Sequence, residues 1–170
     1  MIQDIGNHVY NNAYTPHDPR PGDILFVFSQ GQILCSTDGS SIRFPQAIQA
    51  EGQKLQFLFH IDDTAYYLGQ EAVDGYTFQS MRLLRHSMPQ HQCFAGMTAW
   101  HLYQWYSSHR YCGKCASGLL HHDTTRSLIC PTCGNQIFPV IAPAVIVAVI
   151  NEDRILITRY AGREHKGIAL

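Results

Sequence analysis

Two short cysteine motifs decide how part of this sequence folds: Cys112-Gly-Lys-Cys115 and Cys130-Pro-Thr-Cys133. Each Cys-x-x-Cys pair can form a tight knuckle that directs two sulfurs at one ion, and the fourteen residues between the pairs suffice for a hairpin that brings the knuckles together. Four thiolates at about 2.3 Å in a tetrahedron suit Zn²⁺, and a sphere closed by four cysteines is typical of a structural site. The spacing therefore predicts structural zinc held by Cys112, Cys115, Cys130 and Cys133.

Other interpretations of the same cysteines remain open at the level of sequence. The four thiols are also compatible with two adjacent disulfides or with free cysteines, although disulfides are rare in a reducing compartment. His121 and His122 lie between the two motifs and are either competing ligands or residues of a solvated ribbon tip. The tip is the favoured interpretation because four cysteines already saturate zinc.

The remaining cysteines and two glycines carry further expectations. Gly113 and Gly134 are predicted to take positive φ angles where the knuckles turn. Cys35, in a predicted strand, and Cys93, at a predicted helix start, are expected to be small buried apolar residues.

Composition narrows the class of protein. The 170 residues are 45% hydrophobic and 15% charged, which is typical of a folded chain, and the formal net charge is -1. A near-neutral chain with three lysines lacks the broad basic surface of a general nucleic-acid-binding module. The longest apolar run, Ile141 to Ile150, is shorter than the roughly 20 residues that span a bilayer, and the N-terminus has no secretory pattern. We expect a cytoplasmic protein with no membrane partner.

Hydrophobic patterning predicts an α+β fold. Residues 1–22 are polar and turn-rich, and the next sixty residues suggest strands in hairpins, over 24–28 with 33–35 and over 54–60 with 64–68. Residues 92–107 have helical periodicity, with Ala95, Ala99, Leu102 and Tyr106 on one face. The apolar run 144–150 is typical of a buried strand, with 155–160 as its hairpin partner.

The ribbon and its flanks resemble a known family. The segments Trp105–Cys115, Cys130–Gly134 and Phe138–Ala148 are similar to the NADH pyrophosphatases of the Nudix superfamily. The resemblance implies an N-terminal mixed α/β domain (1–91, mainly β), a connecting helix (92–109), a four-cysteine zinc ribbon (110–138) and the first hairpin of an incomplete Nudix domain (139–170).

The same resemblance implies a reaction. Members of the family hydrolyse the pyrophosphate of NADH or NAD⁺ to nicotinamide mononucleotide and AMP, and some remove an NAD cap from RNA. Their Mg²⁺ or Mn²⁺ ions are held by the glutamates of the Nudix box. The four glutamates here, Glu51, Glu71, Glu152 and Glu164, do not form that motif. We therefore expect no catalytic residue in these 170 residues and no turnover by this chain alone.

The resemblance also suggests substrate contacts and a partner. Arg82 matches a substrate-contacting arginine, and Phe138 matches an aromatic position that stacks on a base. A solvated surface arginine and a core phenylalanine are the plain alternatives for these two residues. Members of the family are typically homodimers, so self-association is expected. The alternative from a different functional class is a non-catalytic zinc-ribbon module for binding or assembly.

Overall fold

The computed structural model describes residues 2–140, 142–143, 145–159 and 168–169. They fall in two compact units, Met1–Pro139 and Val140–Leu170. The first unit holds a helix, α1 (Gln90–Ser108), and two short 3₁₀ helices, Ala47–Gln49 and Met81–Arg85. Its strands are β1 (Tyr10–Asn11), β2 (Ile24–Phe26), β3 (Phe28–Ser29), β4 (Gln32–Thr37), β5 (Ile42–Arg43), β6 (Gln56–Ile61), β7 (Thr64–Leu68), β8 (Thr77–Ser80), β9 (Leu120–His121), β10 (Leu128–Ile129) and β11 (Gln136–Ile137). The α+β class, with many strands and one long helix, is confirmed.

The two hairpins predicted in the first unit are present in the structure. Strands β3 and β4 are joined by Gln30 and Gly31, whose φ angles of 49° and 76° are those of a two-residue hairpin turn. Strands β6 and β7 are joined at Asp62, with φ of 52°, and Ile61 faces Thr64 across the turn.

The sheet order differs from a simple series of hairpins. One sheet has the order β1-β6-β7-β2, in which β2 runs parallel to β7 while the other neighbours are antiparallel. Its outer strand β1 lies inside the N-terminal segment that was predicted to be irregular, so that prediction was wrong for Tyr10–Asn11. In the second sheet, β4 pairs with β3, β5 and β8.

The segment from β2 to β3 is buried on both faces. Phe26 and Phe28 belong to one apolar cluster, whereas Leu25 and Val27 belong to a second cluster on the other side. Because side chains alternate along a strand, an uninterrupted apolar run is what burial of both faces requires. Val27 also joins the two sheets, since it lies between β2 and β3 and its carbonyl accepts the backbone N–H of Leu34.

Helix α1 extends two residues before the predicted start and packs on the first of these clusters. Ala95 and Ala99 are fully buried, and Leu102 and Tyr106 contact the cluster as partly buried side chains. Cys93 is buried here as expected, and so is Cys35 on β4. Burial raises the pKa of both thiols, to about 11 for Cys35.

Strands β9, β10 and β11 form a small antiparallel sheet of their own, with β10 in the centre. Each strand has two residues. Leu128 of β10 is buried, whereas the two residues of β9 are exposed. So little regular pairing and so small an apolar core require another source of stability.

The second unit contains two short hairpins. Strands β12 (Ile150–Asn151) and β13 (Arg154–Ile155) pair across a turn, as predicted, and β14 (Thr158–Arg159) pairs with β15 (Ile168–Ala169). The predicted buried strand over 144–150 is wrong at 145–149, and Ile150, although it belongs to β12, is 66% exposed. Residues 145–149 lie outside strands, and Val145 and Ile146 are more than four-fifths exposed. Ala144 and Tyr160, which the hairpin prediction included, lie outside the described residues.

None of the described helices combines the length and the apolar character needed to cross a membrane.

A buried carboxylate ties three parts of the first unit together. Asp23 is 4% exposed, and its two carboxylate oxygens accept the backbone N–H groups of Arg20 and Ala65 at 2.8 and 2.9 Å. Its own carbonyl accepts the N–H of Ala47 at 2.8 Å. The side chain thereby joins the chain before β2 to β7, the strand that pairs with β2 in parallel.

We predict that Asp23→Ala lowers the free energy of unfolding by about 2–3 kcal/mol, because two buried N–H groups lose a charged acceptor. Urea denaturation measures the change. Asp63→Ala, at an exposed position of the β6–β7 turn, is the matched control and should have a near-zero effect. Equal destabilisation by the two variants would contradict a structural role for Asp23.

Candidate functional site: a four-cysteine metal centre

Four thiols converge at one side of the small sheet. Every pair of sulfurs lies within 4.8 Å, with Cys115 3.4 Å from Cys130 and 3.5 Å from Cys133, and Cys112 3.6 Å from Cys133. A tetrahedron with metal–sulfur bonds of about 2.3 Å has edges of about 3.8 Å. A disulfide would need about 2.05 Å, and none of the six cysteines forms one. The donor set therefore fits a single tetrahedral Zn²⁺, and the four cysteines support structural zinc.

The two knuckles have the same backbone turn. In the first, the N–H of Ala116 donates to the carbonyl of Cys112 at 2.8 Å, and in the second, the N–H of Gly134 donates to the carbonyl of Cys130 at 3.0 Å. Both donors have positive φ, 61° for Ala116 and 70° for Gly134. The prediction of positive φ is confirmed for Gly134 but wrong for Gly113. The turn reverses at the residue after the second cysteine of each pair, and in the first knuckle that residue is an alanine.

Further amide groups hold the knuckles closed. The N–H of Cys112 donates to the carbonyl of Ser117 at 2.8 Å, and the N–H of Cys130 donates to the carbonyl of Asn135 at 2.9 Å. The N–H of Lys114 points at the Cys112 sulfur, 3.4 Å away, and this hydrogen bond is the largest of several, including one from the N–H of Cys115, that together lower the pKa of the Cys112 thiol to about 6. The amide of Asn135 lies 3.7 Å from the same sulfur. These donors favour the thiolate, which is the form that binds a metal.

Neither histidine of the ribbon belongs to the thiol cluster. The ring of His121 packs on Tyr106, with ring centres 4.7 Å apart. His122 accepts the backbone N–H of Thr124 through Nδ1 at 3.2 Å. The structure thus brings the four cysteine sulfurs together, whereas the two histidines contact other residues.

The two residues that were predicted to contact substrate lie on different elements. Arg82 is exposed on the second 3₁₀ helix, and its backbone N–H donates to the Ser80 hydroxyl. Phe138 follows β11 and is 54% exposed. Both side chains are thus accessible, and the core position considered for Phe138 is wrong.

Arg126 fastens the ribbon to the rest of the first unit, a role that the sequence analysis did not predict. One guanidinium nitrogen donates to the carbonyl and the side-chain oxygen of Asn12, at 3.0 and 2.7 Å, and another donates to the carbonyl of Leu58. The guanidinium also lies over the ring of Tyr14, 5.6 Å from its centre. These partners are about 70 to 110 positions away from Arg126 along the chain, so no local sequence motif predicts the contact.

Because the two knuckles have the same turn, we predict opposite changes in stability for Ala116→Gly and Gly134→Ala. Ala116→Gly should stabilise the zinc-bound protein by about 1 kcal/mol, because a left-handed conformation strains a Cβ but not a glycine. Gly134→Ala should destabilise it by a similar amount through backbone strain alone, since a Cβ there would meet no atom within 4 Å. Urea denaturation of the two variants measures both effects, and shifts of the same sign would contradict the shared turn.

Comparison with known proteins agrees with this geometry. Residues 107–138 match the NADH pyrophosphatase zinc ribbon domain. The NAD-capped RNA hydrolase NudC of Stutzerimonas stutzeri (strain A1501) is 40% identical over 55 residues, which cover 32% of this chain and 20% of the relative. The proteins of the same name from Salmonella typhi and Escherichia coli (strain K12 / DH10B) are 36% and 34% identical over 67 residues, covering 39% of this chain and 26% of each relative.

The chain thus spans about a quarter or less of the length of the curated relatives it matches. The matched ribbon contains all four converging thiols. On these grounds residues 107–138 are similar to the zinc ribbon of the NADH pyrophosphatases in both sequence and thiol geometry.

Proposed function

We propose that this chain is the N-terminal and zinc-ribbon part of a hydrolase that cleaves the pyrophosphate of NADH or NAD⁺, or the NAD cap of RNA. The observation that carries the proposal is the ribbon at 107–138, which matches the zinc ribbon of NADH pyrophosphatases and has its four thiols assembled. The relatives that are similar to this chain over 55 to 67 residues are named NAD-capped RNA hydrolases, which favours the same class of substrate.

In this proposal Cys112, Cys115, Cys130 and Cys133 are the zinc ligands. A metal held by four thiolates has no open position for water or substrate, so its contribution is to folding. The small strands of the ribbon need such a link, because each contributes only two residues of pairing.

The catalytic Mg²⁺ or Mn²⁺ belongs, in this proposal, to the complete hydrolase. Glu51, Glu71 and Glu152 are exposed and far apart in sequence, and Glu164 lies outside the described residues. Within the described residues, the side chains that meet in a group able to hold a metal are the four cysteines. We therefore assign no catalytic residue to this chain and propose that it does not turn over substrate alone.

Arg82 and Phe138 are the proposed substrate contacts. An exposed guanidinium can form paired hydrogen bonds with a phosphate, and an exposed ring can stack on a nicotinamide or adenine base. Their exposure supports these roles because neither side chain is committed to the core.

A homodimer in the cytoplasm is the proposed setting. In the second unit, Val145, Ile146 and Leu156 are each more than half exposed. An exposed apolar segment of this kind favours association with further protein surface. It equally supports the second candidate function, a non-catalytic zinc-ribbon module for binding or assembly.

Removing the metal tests the first part of the proposal. We expect one zinc per chain by elemental analysis, and we expect its removal with a chelator to abolish the dispersed amide signals of residues 110–138 in NMR spectra, because folding and metal binding are coupled in small sites. Cys130→Ser should lose the zinc, whereas Cys93→Ala, which removes a thiol of the core, should retain it. An unchanged ribbon spectrum after verified zinc loss would contradict the structural role.

Binding and turnover test the second part. We expect calorimetry to detect NADH binding that Arg82→Ala and Phe138→Ala each weaken by about tenfold, which corresponds to about 1.4 kcal/mol. Arg85→Ala, on the same 3₁₀ helix, and Phe138→Tyr, which keeps the aromatic ring, should bind normally. With Mn²⁺ present, the chain should release no nicotinamide mononucleotide from NADH or from NAD-capped RNA.

Two results would reject this assignment. Robust hydrolysis by the pure chain would overturn the proposed lack of turnover. No NADH binding, together with a mass above that of the monomer in light scattering, would favour the assembly module instead.

A further inference from the structure

A groove of about 630 Å³ lies in the first unit beside the C-terminal end of α1. It is bordered by Lys54 before β6, by Arg110 after α1 and by His121 of β9. Its volume is within the range of about 300–1,000 Å³ that is typical of small-molecule sites. None of the residues assigned above to zinc or to NADH lines it.

The groove has an unbalanced positive charge. Lys54 and Arg110 both line it, and no aspartate or glutamate does. Neither cationic side chain has an ion pair or a hydrogen bond in the described part of the chain. Desolvation of the ring lowers the pKa of the His121 imidazole, and the nearby charge of Lys54 lowers it further. Two cations facing the same space without a carboxylate favour an anionic occupant.

The same groove has an aromatic wall. Tyr103 and Tyr106 are one turn apart on α1 and both line the groove. Tyr103 is fixed by Phe28 and Trp100, whose ring centres lie 5.2 and 5.4 Å from its own. Tyr106 is fixed in the same way by its contact with the ring of His121. Rings held on one side by such packing form a rigid apolar wall for a flat group.

Neutral polar groups complete the lining. The Gln56 amide nitrogen donates to the Tyr14 hydroxyl at 2.8 Å, which fixes the orientation of the side chain. Gln70, in an exposed loop, and Ser107, in the last turn of α1, also line the groove. Two cationic side chains, two aromatic rings and neutral polar groups in one groove match the three parts of a nucleotide, which are the phosphate, the base and the sugar.

We propose that this groove binds the phosphate of a nucleotide, with Lys54 and Arg110 on the phosphate and Tyr103 or Tyr106 beside the base. The shared chemistry is a nucleotide phosphate, whose source is either a free mononucleotide or a single-stranded RNA. The inference does not rest on the function proposed above, since it uses different residues and requires no hydrolysis.

The test uses the full 170-residue chain with zinc bound and AMP as the probe. We expect AMP to shift the amide signals of Lys54, Arg110 and His121 in NMR titrations. Adenosine, which lacks the phosphate, and inorganic phosphate, which lacks the base, should each bind at least about tenfold more weakly. The double variant Lys54→Gln/Arg110→Gln should weaken AMP binding by a similar factor, whereas Arg85→Gln, an exposed arginine elsewhere, should not change it.

A short single-stranded RNA distinguishes the two sources. RNA that binds more tightly than AMP, with the same loss in the double variant, identifies a phosphodiester, and weaker RNA binding identifies a free nucleotide. The proposal is overturned if AMP does not bind, if adenosine or inorganic phosphate binds as well as AMP, or if the double variant binds AMP normally while thermal denaturation shows that it is folded. Loss of NADH binding in Arg82→Ala with normal AMP binding would separate the two sites.

Discussion

The convergence of four cysteine sulfurs within 4.8 Å is the constraint on which the small ribbon depends. Its strands pair over two residues each, which is far too little to fold alone. The two knuckles solve the problem locally: each one turns its backbone at the residue after the second cysteine and satisfies its own amide groups. What remains is the repulsion between four closely spaced thiolates, and a divalent cation removes it. The metal is therefore part of the fold as much as the apolar core of the sheets is.

Arg126 connects the zinc ribbon to the rest of the first unit. It lies between β9 and β10 of the ribbon, and its guanidinium is held by backbone carbonyl and amide oxygens near β1 and β6 instead of by a carboxylate. Its Nε atom is buried and has no hydrogen-bond partner. Arg126 is partly buried, and a cation that meets only neutral acceptors there is costly to desolvate, so this contact contributes more to the orientation of the ribbon than to net stability.

Features encoded by neighbouring residues were accessible from the sequence, and features that depend on distant partners were not. The cysteine spacing predicted the thiol cluster, and alternation with turn residues predicted the β3–β4 and β6–β7 hairpins. The parallel pairing of β2 with β7 and the anchoring of Arg126 join residues more than forty positions apart, and no local pattern reports them. The prediction of a buried strand was wrong at residues 145–149 for a related reason. An apolar run predicts a buried strand only if other chain segments cover it, and the described residues leave it exposed.

The ribbon also connects the metal to the proposed nucleotide groove. Its strand β9 carries His121, which packs on Tyr106 of α1 and forms one border of the groove, while Arg110 stands two residues before the first cysteine ligand. Loss of zinc would release both borders at once, because Arg110 lies outside helices and strands and His121 is held only by the two-residue strand β9. If a ligand binds only the ordered groove, zinc increases the affinity for the ligand. The ligand must then increase the affinity for zinc by the same factor. In this arrangement a metal with no open coordination position still influences binding, through the side chains that it holds in place.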